Sequence, residues 1–168
     1  MNQKEFLDIV LPIKDNLYRL ARRFLISNDE AQDAVQEVFL KLWKNKEAIK
    51  KYRSPEAFAY TMTKNYCLDR LKSKQASNLK LVHTNFENRT DLEQHIEAKD
   101  GVSLLFKLME TLPEKQKTIL HLRDVEQLEF AEIAKITNTS QANVRVALSR
   151  ARKKIKDLLL KQYNHGVQ

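Results

Sequence analysis

Residues 129–157 read EFAEIAKITNTSQANVRVALSRARKKIKD, and this stretch decides the fold of the C-terminal part of the chain. The apolar spacing of Phe130, Ile133 and Ala134 predicts a short first helix, and the NTS segment at residues 138–140 predicts a tight turn. A second helix follows, in which apolar residues recur every three or four positions. These residues are Val144, Leu148, Ala151 and Ile155. A short helix, a brief turn and a longer basic helix in this order predict a helix-turn-helix.

The second helix is strongly positive on its outer side. Residues 139–157 carry six basic residues and one acidic residue, a balance that fits a solvated helix face and a polyanionic partner about equally well. The helix and turn that precede it, at residues 129–140, favour DNA as the partner. The N-terminal half of such a helix enters the major groove, where Arg145 and Arg150 can read guanine edges. Asn138 stands where the turn often carries glycine, and asparagine tolerates left-handed backbone. The predicted duplex-binding residues are Ser140, which also caps the helix, Asn143, Arg145, Val146, Ser149, Arg150 and Lys153.

The composition excludes several classes of protein. The 168 residues include 30 basic and 22 acidic ones, a net charge of +8 that favours nucleic acid or an anionic surface as the partner. Two glycines and three prolines are few for a sheet protein and favour an all-α fold. The one cysteine, Cys67, excludes a disulfide within the chain, and no stretch approaches the roughly 20 apolar residues of a membrane span. We expect a soluble, cytoplasmic protein with no cofactor and no metal.

Charge and periodicity divide the chain into two helical bodies. Net charge is +5 over residues 1–75, −2 over residues 76–110 and +5 over residues 111–168. The first body is predicted to hold one helix from Phe6 to Phe24, a second after Ser27 and a third from Pro55 to about Lys74. The predicted buried seams are Ala31, Val35, Val38 and Leu42 on the second helix and Phe58, Met62 and Tyr66 on the third. In the second body a helix is predicted from Pro113 to about Asp124. A polar stretch follows, with a short helix predicted at residues 91–98. The predicted architecture is all-α, with two small helical domains at residues 1–75 and 103–168 joined by a polar linker at residues 76–102, the C-terminal domain being a helix-turn-helix.

Three segments together resemble one family. Residues 129–157 resemble the C-terminal promoter-reading region of bacterial RNA polymerase sigma factors, especially the extracytoplasmic function (ECF) group. DEAQDAVQEVFLKLW, residues 29–43, resembles the polymerase-binding helix of that group, and SPEAFAYTMTKNYCLDRLKSK, residues 54–74, resembles its promoter-melting helix. The absence of an acidic N-terminal extension and of a middle domain favours the small ECF type. The resemblance implies a sigma factor that binds core RNA polymerase and directs promoter-specific transcription initiation.

The resemblance also implies roles for particular residues. The C-terminal body would read the −35 element as duplex, and the N-terminal body would open and hold the −10 element. Residues implied to bind single-stranded −10 DNA are Tyr60, Asn65, Arg70, Lys72 and Lys74. Residues implied to bind the polymerase are Asp33, Gln36, Glu37, Phe39 and Lys41, although core packing explains Phe39 equally well. The stretch Ser73–Leu79 resembles the loop that captures a flipped base.

The partners implied are promoter DNA and core RNA polymerase, through the coiled coil of its β′ subunit and through its β subunit. An anti-sigma factor, of a kind that can be membrane-tethered, is a further expected partner. No small-molecule substrate is expected.

The same residues admit two other functional classes. A stand-alone helix-turn-helix transcriptional regulator with an N-terminal sensor or dimerisation domain would explain residues 129–157 but not residues 29–43. DNA recognition that requires core polymerase separates the two interpretations. An enzyme is disfavoured, because the four histidines form no HExxH pattern and no phosphate-binding glycine loop occurs.

Overall fold

The computed structural model describes the backbone of residues 1–78 and 101–166 and the side chains of residues 1–75 and 104–166. Within these residues the chain is helical and forms no strand, which confirms the predicted all-α class. The N-terminal half comprises α1 (Gln3–Val10), α2 (Lys14–Phe24), α3 (Asn28–Lys44), α4 (Lys46–Ile49) and α5 (Pro55–Asn78). The C-terminal half comprises α6 (Gly101–Met109), α7 (Glu114–Leu120), a π-helical turn (His121–Val125), α8 (Phe130–Ile136) and α9 (Gln141–Gly166).

The single helix predicted from Phe6 to Phe24 is wrong, because α1 and α2 are separated by a break at Pro12. Proline has no amide hydrogen and its ring clashes with the carbonyl one turn earlier, so a helix does not continue through it without a kink. Because of the break, α1 and α2 can both pack against the same hydrophobic core. Residues on the two sides of it are buried together, namely Phe6, Val10, Ile13, Leu17 and Leu20.

Helix α3 follows its predicted pattern. Ser27 caps it by accepting a hydrogen bond from the Glu30 amide at 3.4 Å. The predicted seam is buried, at Ala31, Val35, Val38 and Leu42. Where α2, α3 and α5 meet, small side chains line the contact and allow the helices to approach closely. These are Ala21, Ala31, Ala34 and Cys67, with Leu25 beside them. Burial raises the pKa of the Cys67 thiol to about 12, so this cysteine is a packing residue.

Helix α5 starts as predicted but presents a different face to the core. Ser54 accepts a hydrogen bond from the Ala57 amide at 3.1 Å, and the helix runs to Asn78, so most of the stretch predicted as a loop at residues 73–79 is helical. The predicted seam of Phe58, Met62 and Tyr66 is only half-buried. The fully buried positions are Ala59, Tyr60, Thr63 and Cys67. The seam is shifted because α5 packs on two sides, against α2 and α3 and against α8.

The C-terminal half is built around α9, which packs against α6, α7 and α8. The predicted helix from Pro113 to Asp124 ends earlier as regular α-helix, because residues 121–125 form a π-helical turn closed by the Glu126 amide donating to the His121 carbonyl at 3.0 Å. Such turns interrupt a helix and are frequent at functional sites. The helix predicted at residues 91–98 lies outside the described residues. Across the described helices, none is both long and apolar enough to cross a membrane.

Candidate nucleic-acid and polymerase interfaces

Local chemistry shapes the turn between α8 and α9. Asn138 adopts φ 52°, the left-handed conformation that the sequence predicted for this position. The Thr139 amide then donates to the Ala134 carbonyl at 3.0 Å, which ends α8. Ser140 starts α9 by accepting a hydrogen bond from the Asn143 amide at 3.1 Å. The turn therefore holds the first residues of α9 at a defined angle to α8.

The outer face of α9 presents the predicted duplex-binding residues together. All seven side chains are exposed and lie on the first four turns or at the cap. Arg145 packs over the Phe130 ring at 5.0 Å, so the preceding helix supports its side chain. The inner face is buried at Val144, Leu148, Ala151 and Ile155, as the spacing predicted. Two nearby residues that the sequence analysis missed, Lys135 and Gln141, line a shallow depression between α8 and α9.

Two other basic residues of α9 are engaged within the protein. The Arg152 guanidinium donates to Asp124 at 2.5 and 3.1 Å, and this hydrogen bond raises the pKa of Arg152. Lys154 donates to the Thr111 carbonyl at 3.2 Å. These contacts attach α9 to the π-helical turn and to the segment between α6 and α7. The positive charge available to a ligand is therefore concentrated on the face that carries Arg145, Arg150 and Lys153.

The predicted polymerase-binding residues of α3 separate into two groups. Asp33, Gln36 and Lys41 are exposed, and the Lys41 ammonium lies 5.0 Å from the centre of the Tyr66 ring. Glu37 and Phe39 are half-buried, and Phe39 packs against the core.

The surface of α3 also includes an apolar residue that the sequence analysis missed. The Leu40 side chain is 54% exposed and lies seven residues after Asp33, on the same side of the helix. A single exposed leucine is ordinary on a protein surface, but this one lies on the face of α3 that carries the predicted polymerase-binding residues Asp33 and Gln36. The apolar spacing of α3 placed Leu42 in the buried seam and Leu40 off it, but spacing alone does not show that an off-seam leucine belongs to an interface.

The predicted −10 residues of α5 do not form one surface. Asn65 and Lys72 are exposed and lie two turns apart on one strip of the helix. Arg70 is exposed on another side, and Lys74 forms an ion pair with Glu30.

Tyr60 departs furthest from its predicted role of binding the single-stranded −10 DNA. Its side chain is 0% exposed and belongs to the hydrophobic core. Its hydroxyl donates to Glu126 Oε2 at 3.3 Å, and burial, together with the Glu126 charge, raises the pKa of Tyr60. In this arrangement no base can reach the ring.

Glu126 lies at the centre of a buried polar cluster between the two halves. Its side chain is 1% exposed, and it accepts hydrogen bonds from Arg19 Nε at 2.9 Å and Arg19 Nη2 at 3.0 Å. His121 Nε2 lies 3.2 Å from Glu126 Oε1 without the direction of a good hydrogen bond. Burial alone would raise the pKa of Glu126, but His121 and Arg19 outweigh it and lower that pKa. The sequence carried no signal for this cluster, because Arg19 and Glu126 are 107 residues apart.

Comparisons with known proteins identify the relatives of this chain. Models of Sigma-70 region 2 and Sigma-70 region 4 match residues 10–77 and 103–155, respectively. ECF RNA polymerase sigma factor SigW of Bacillus subtilis is 27% identical over 172 residues, spanning 94% of this chain and 90% of SigW. ECF RNA polymerase sigma-E factor of Escherichia coli K12 is 27% identical, spanning 92% of this chain and 86% of that protein.

Two solved structures share the fold. The sigma factor RpoE of Bartonella quintana, in complex with the anti-sigma factor NepR, superimposes with a TM-score of 0.72 at 16% identity, covering 93% of this chain and 97% of that one. CnrH, in complex with the cytosolic domain of CnrY, superimposes with a TM-score of 0.65 at 22% identity, covering 94% of this chain and 89% of that one.

Proposed function

This chain belongs to the ECF group of bacterial RNA polymerase sigma factors, and from that premise we propose which surface binds each partner during transcription initiation. As a sigma factor it binds core RNA polymerase and directs initiation at specific promoters. The observation that carries the assignment of surfaces is the exposed basic face of α9 on its helix-turn-helix. The functional domains are residues 1–75 and 103–168, with residues 76–102 as the linker.

The α9 face reads the −35 element in the major groove. Asn143, Val146 and Arg150 follow one another at three- and four-residue steps, so they lie along a single strip that can follow the groove. Arg145, supported by Phe130, and Arg150 are the candidates for guanine contacts, while Lys153 contacts a phosphate. The Ser140 cap leaves further N-terminal amides of α9 directed at the backbone of the DNA.

The surface of α3 that carries Asp33, Gln36 and Leu40 binds the β′ coiled coil. Its mixture of an exposed leucine with carboxylate and amide groups suits a helical partner better than a nucleic acid. Lys41 lies on the border of this surface. Glu37 and Phe39 act by supporting the helix, since both are half-buried.

The exposed strip of α5 holds the opened −10 strand. Asn65 is suited to hydrogen-bond a base edge, and Lys72 is placed two turns along to neutralise a phosphate. Arg70 and Lys74 add positive charge on the adjoining sides of the helix. Tyr60 is not part of this surface, because its side chain is buried in the core.

An apolar groove in the C-terminal half binds the β subunit. It lies between α6, α7 and the end of α9 and has a volume of about 870 Å³. Leu105, Leu160 and Tyr163 line it and are exposed, Tyr163 to 72%, which marks a protein interface. On α9 the groove is lined by Arg152 and by residues from Ile155 onward, on the side of the helix away from Arg150, so polymerase and DNA can be bound together. Substituting Leu160 by Asp is expected to weaken polymerase binding without changing the −35 sequence that is preferred.

Regulation by an anti-sigma factor is supported by a solved structure of the same fold, the sigma factor RpoE in complex with the anti-sigma factor NepR. We therefore place an anti-sigma factor, able to be membrane-tethered, among the partners. The chain acts in the cytoplasm, where RNA polymerase works, and it recruits the polymerase without catalysing a reaction itself.

Run-off transcription from a promoter-rich genomic library tests the function. Core RNA polymerase is used with and without this protein, and we expect discrete new start sites that depend on it. Their upstream sequences then define the −35 and −10 elements. Palindromic footprints made by the protein alone, with no new transcripts, would instead favour a stand-alone regulator.

A further inference from the structure

Two arginines meet one aromatic ring at the start of α8. The guanidinium carbon of Arg123 lies 4.5 Å from the centre of the Phe130 ring, and that of Arg145 lies 5.0 Å from it. At such distances the negative face of an aromatic ring attracts a cation. Phe130 is half-buried and packs against the core, so its ring is held in place while it reaches the exposed Arg145. The three side chains therefore connect the π-helical turn, α8 and α9.

Arg123 is fixed by the segment that precedes α8. Its Nη1 group donates to the Leu128 carbonyl at 2.9 Å, and the Leu128 side chain is buried. Arg123 belongs to the π-helical turn, and the next residue of that turn, Asp124, binds Arg152 of α9. Arg152 lies two turns after Arg145, on the same side of α9. The π-helical turn therefore contacts one side of α9 at two points, directly at Arg152 and through the aromatic ring at Arg145.

The two contacts leave these arginines with different capacities for binding DNA. An ion pair uses the N–H groups of the guanidinium, and Asp124 accepts from Nε and Nη2 of Arg152 in this way. A contact with the face of a ring requires no acceptor atom. Among the side chains of residues 1–75 and 104–166, no carboxylate forms an ion pair with Arg145. Its N–H groups are therefore held near α8 and can still donate to N7 and O6 of a guanine.

We propose that Phe130 is a positioning residue of the −35 reader, that its ring directs Arg145 towards one base pair, and that Arg123 holds the ring for this task. The inference rests on the proposed function of α9 as the reader of the −35 element. It adds to that function two residues that contact no base themselves and yet determine sequence preference.

Positioning matters for a guanine contact more than for a phosphate contact. A bidentate contact requires the guanidinium to meet two acceptor atoms at once, whereas a phosphate is neutralised from many directions. A long, flexible arginine side chain loses conformational entropy when DNA orders it. A ring that restricts Arg145 before binding reduces this loss. The benefit should therefore be seen in discrimination at one base pair and not in overall affinity for DNA.

The test measures sequence preference one base pair at a time. The full chain is combined with core RNA polymerase, and single-round run-off transcription is measured on its promoter and on templates that each carry one substitution in the −35 element. Arg145→Ala first identifies the base pair at which discrimination depends on this arginine. Phe24→Leu is the matched control for the loss of an aromatic ring, because Phe24 is also half-buried against the core but lies on α2, and it should leave the −35 preference unchanged. Lys153→Ala removes an exposed charge from α9 and should reduce transcription from all templates by a similar factor.

Variants of the ring and of its support give the expected results. Phe130→Leu keeps an apolar side chain and removes the ring, so discrimination at the Arg145-dependent base pair should fall roughly 3- to 10-fold, with the other −35 positions unchanged. Phe130→Tyr keeps the ring face and should retain the wild-type preference. Arg123→Gln should cause a smaller loss at the same base pair. Adding Phe130→Leu to Arg145→Ala should cause no further loss of discrimination there, because the ring acts only through that arginine.

The opposite outcomes separate the positioning role from the proposed function. A loss spread evenly over all −35 positions in Phe130→Leu, or a further loss of discrimination in the double variant, would overturn the proposal and make Phe130 a packing residue. An equal loss in Phe130→Tyr would also overturn it. If Arg145→Ala changes the preference at no base pair while the wild-type chain transcribes specifically, the proposal fails and the function of the chain stands. Failure of the wild-type chain to direct any promoter-specific transcript would refute the proposed function itself, and the positioning role with it.

Discussion

Substitution of Arg150 by Ala is the sharpest test of the DNA-reading face. Its side chain is exposed on the strip that includes Asn143 and Val146, and no carboxylate within residues 1–75 and 104–166 forms an ion pair with it. A good bidentate contact with guanine contributes about 1–3 kcal/mol of discrimination. At about 1.4 kcal/mol per factor of ten, the variant should lose roughly 5- to 150-fold of specific promoter use.

Arg152→Ala is the matched control, because it removes the same charge from the same helix only two residues away. Its guanidinium is already bound to Asp124, at 2.5 and 3.1 Å. The pair is exposed, so the loss should change the free energy of unfolding by about 0–1 kcal/mol. We expect less than a threefold effect of this control on promoter use.

The assay is single-round run-off transcription from two templates, one with the cognate −35 element and one with that element scrambled. Arg150→Ala should reduce transcription from the first template and have little effect on the second, and its affinity for core polymerase should not change. Equal losses of transcription for both arginine variants would mean that the α9 face contributes only nonspecific positive charge and does not read the −35 sequence. A fall in core affinity that matched the fall in promoter use would mean that this face contacts polymerase.

Three further predictions concern the core, the polar cluster and the polymerase surface. Leu148→Ala, in the buried seam of α9, should lower the free energy of unfolding by about 2–5 kcal/mol in denaturant titrations. Val146→Ala, at a 47% exposed position, should change it by less than about 0.5 kcal/mol, and similar losses for both would contradict the assignment of the two faces. Burial lowers the pKa of His121, against the opposing effect of Glu126 and with smaller contributions from Arg23 and Arg19. The native state then binds fewer protons than the unfolded state, so the free energy of unfolding should fall as pH drops below about 6.5. In thermal melts, His121→Gln should reduce this dependence of the melting temperature on pH. An unchanged dependence would exclude this histidine as its source. Leu40→Ala should weaken binding to core polymerase severalfold without lowering the melting temperature, and a lowered melting temperature would show that Leu40 acts through the fold.

Much of the local structure was predictable because it depends on neighbours in the sequence. Ser54 and Ser140 cap helices through amides three residues away, and Asn138 takes the left-handed turn because few other residues tolerate it. The buried side of α9 followed from spacing alone. The break at Pro12 was equally local and was missed, because apolar periodicity continued across it and outweighed the chemistry of proline.

The candidate site was predictable only where side chains face outward. The seven predicted residues of the α9 face need no other part of the chain to become exposed once the helix forms. On α5 the same reasoning failed, since the predicted seam assumed a single packing partner. Periodicity cannot reveal a second helix packing on the other side of α5, and that helix, α8, begins more than 50 residues after α5 ends.

The sequence by itself determined most of the helical segments, the caps at Ser27, Ser54 and Ser140, the turn at Asn138, and the presence of a basic recognition helix in a two-part chain. These properties depend on contacts within a few residues, where the geometry of the backbone is nearly fixed. Only the tertiary structure decided that Tyr60 is buried and that Arg19, Tyr60 and Glu126 meet. These three residues come into contact only when the two helical halves dock. The side chain of Glu126 loses its contact with water only in the docked state.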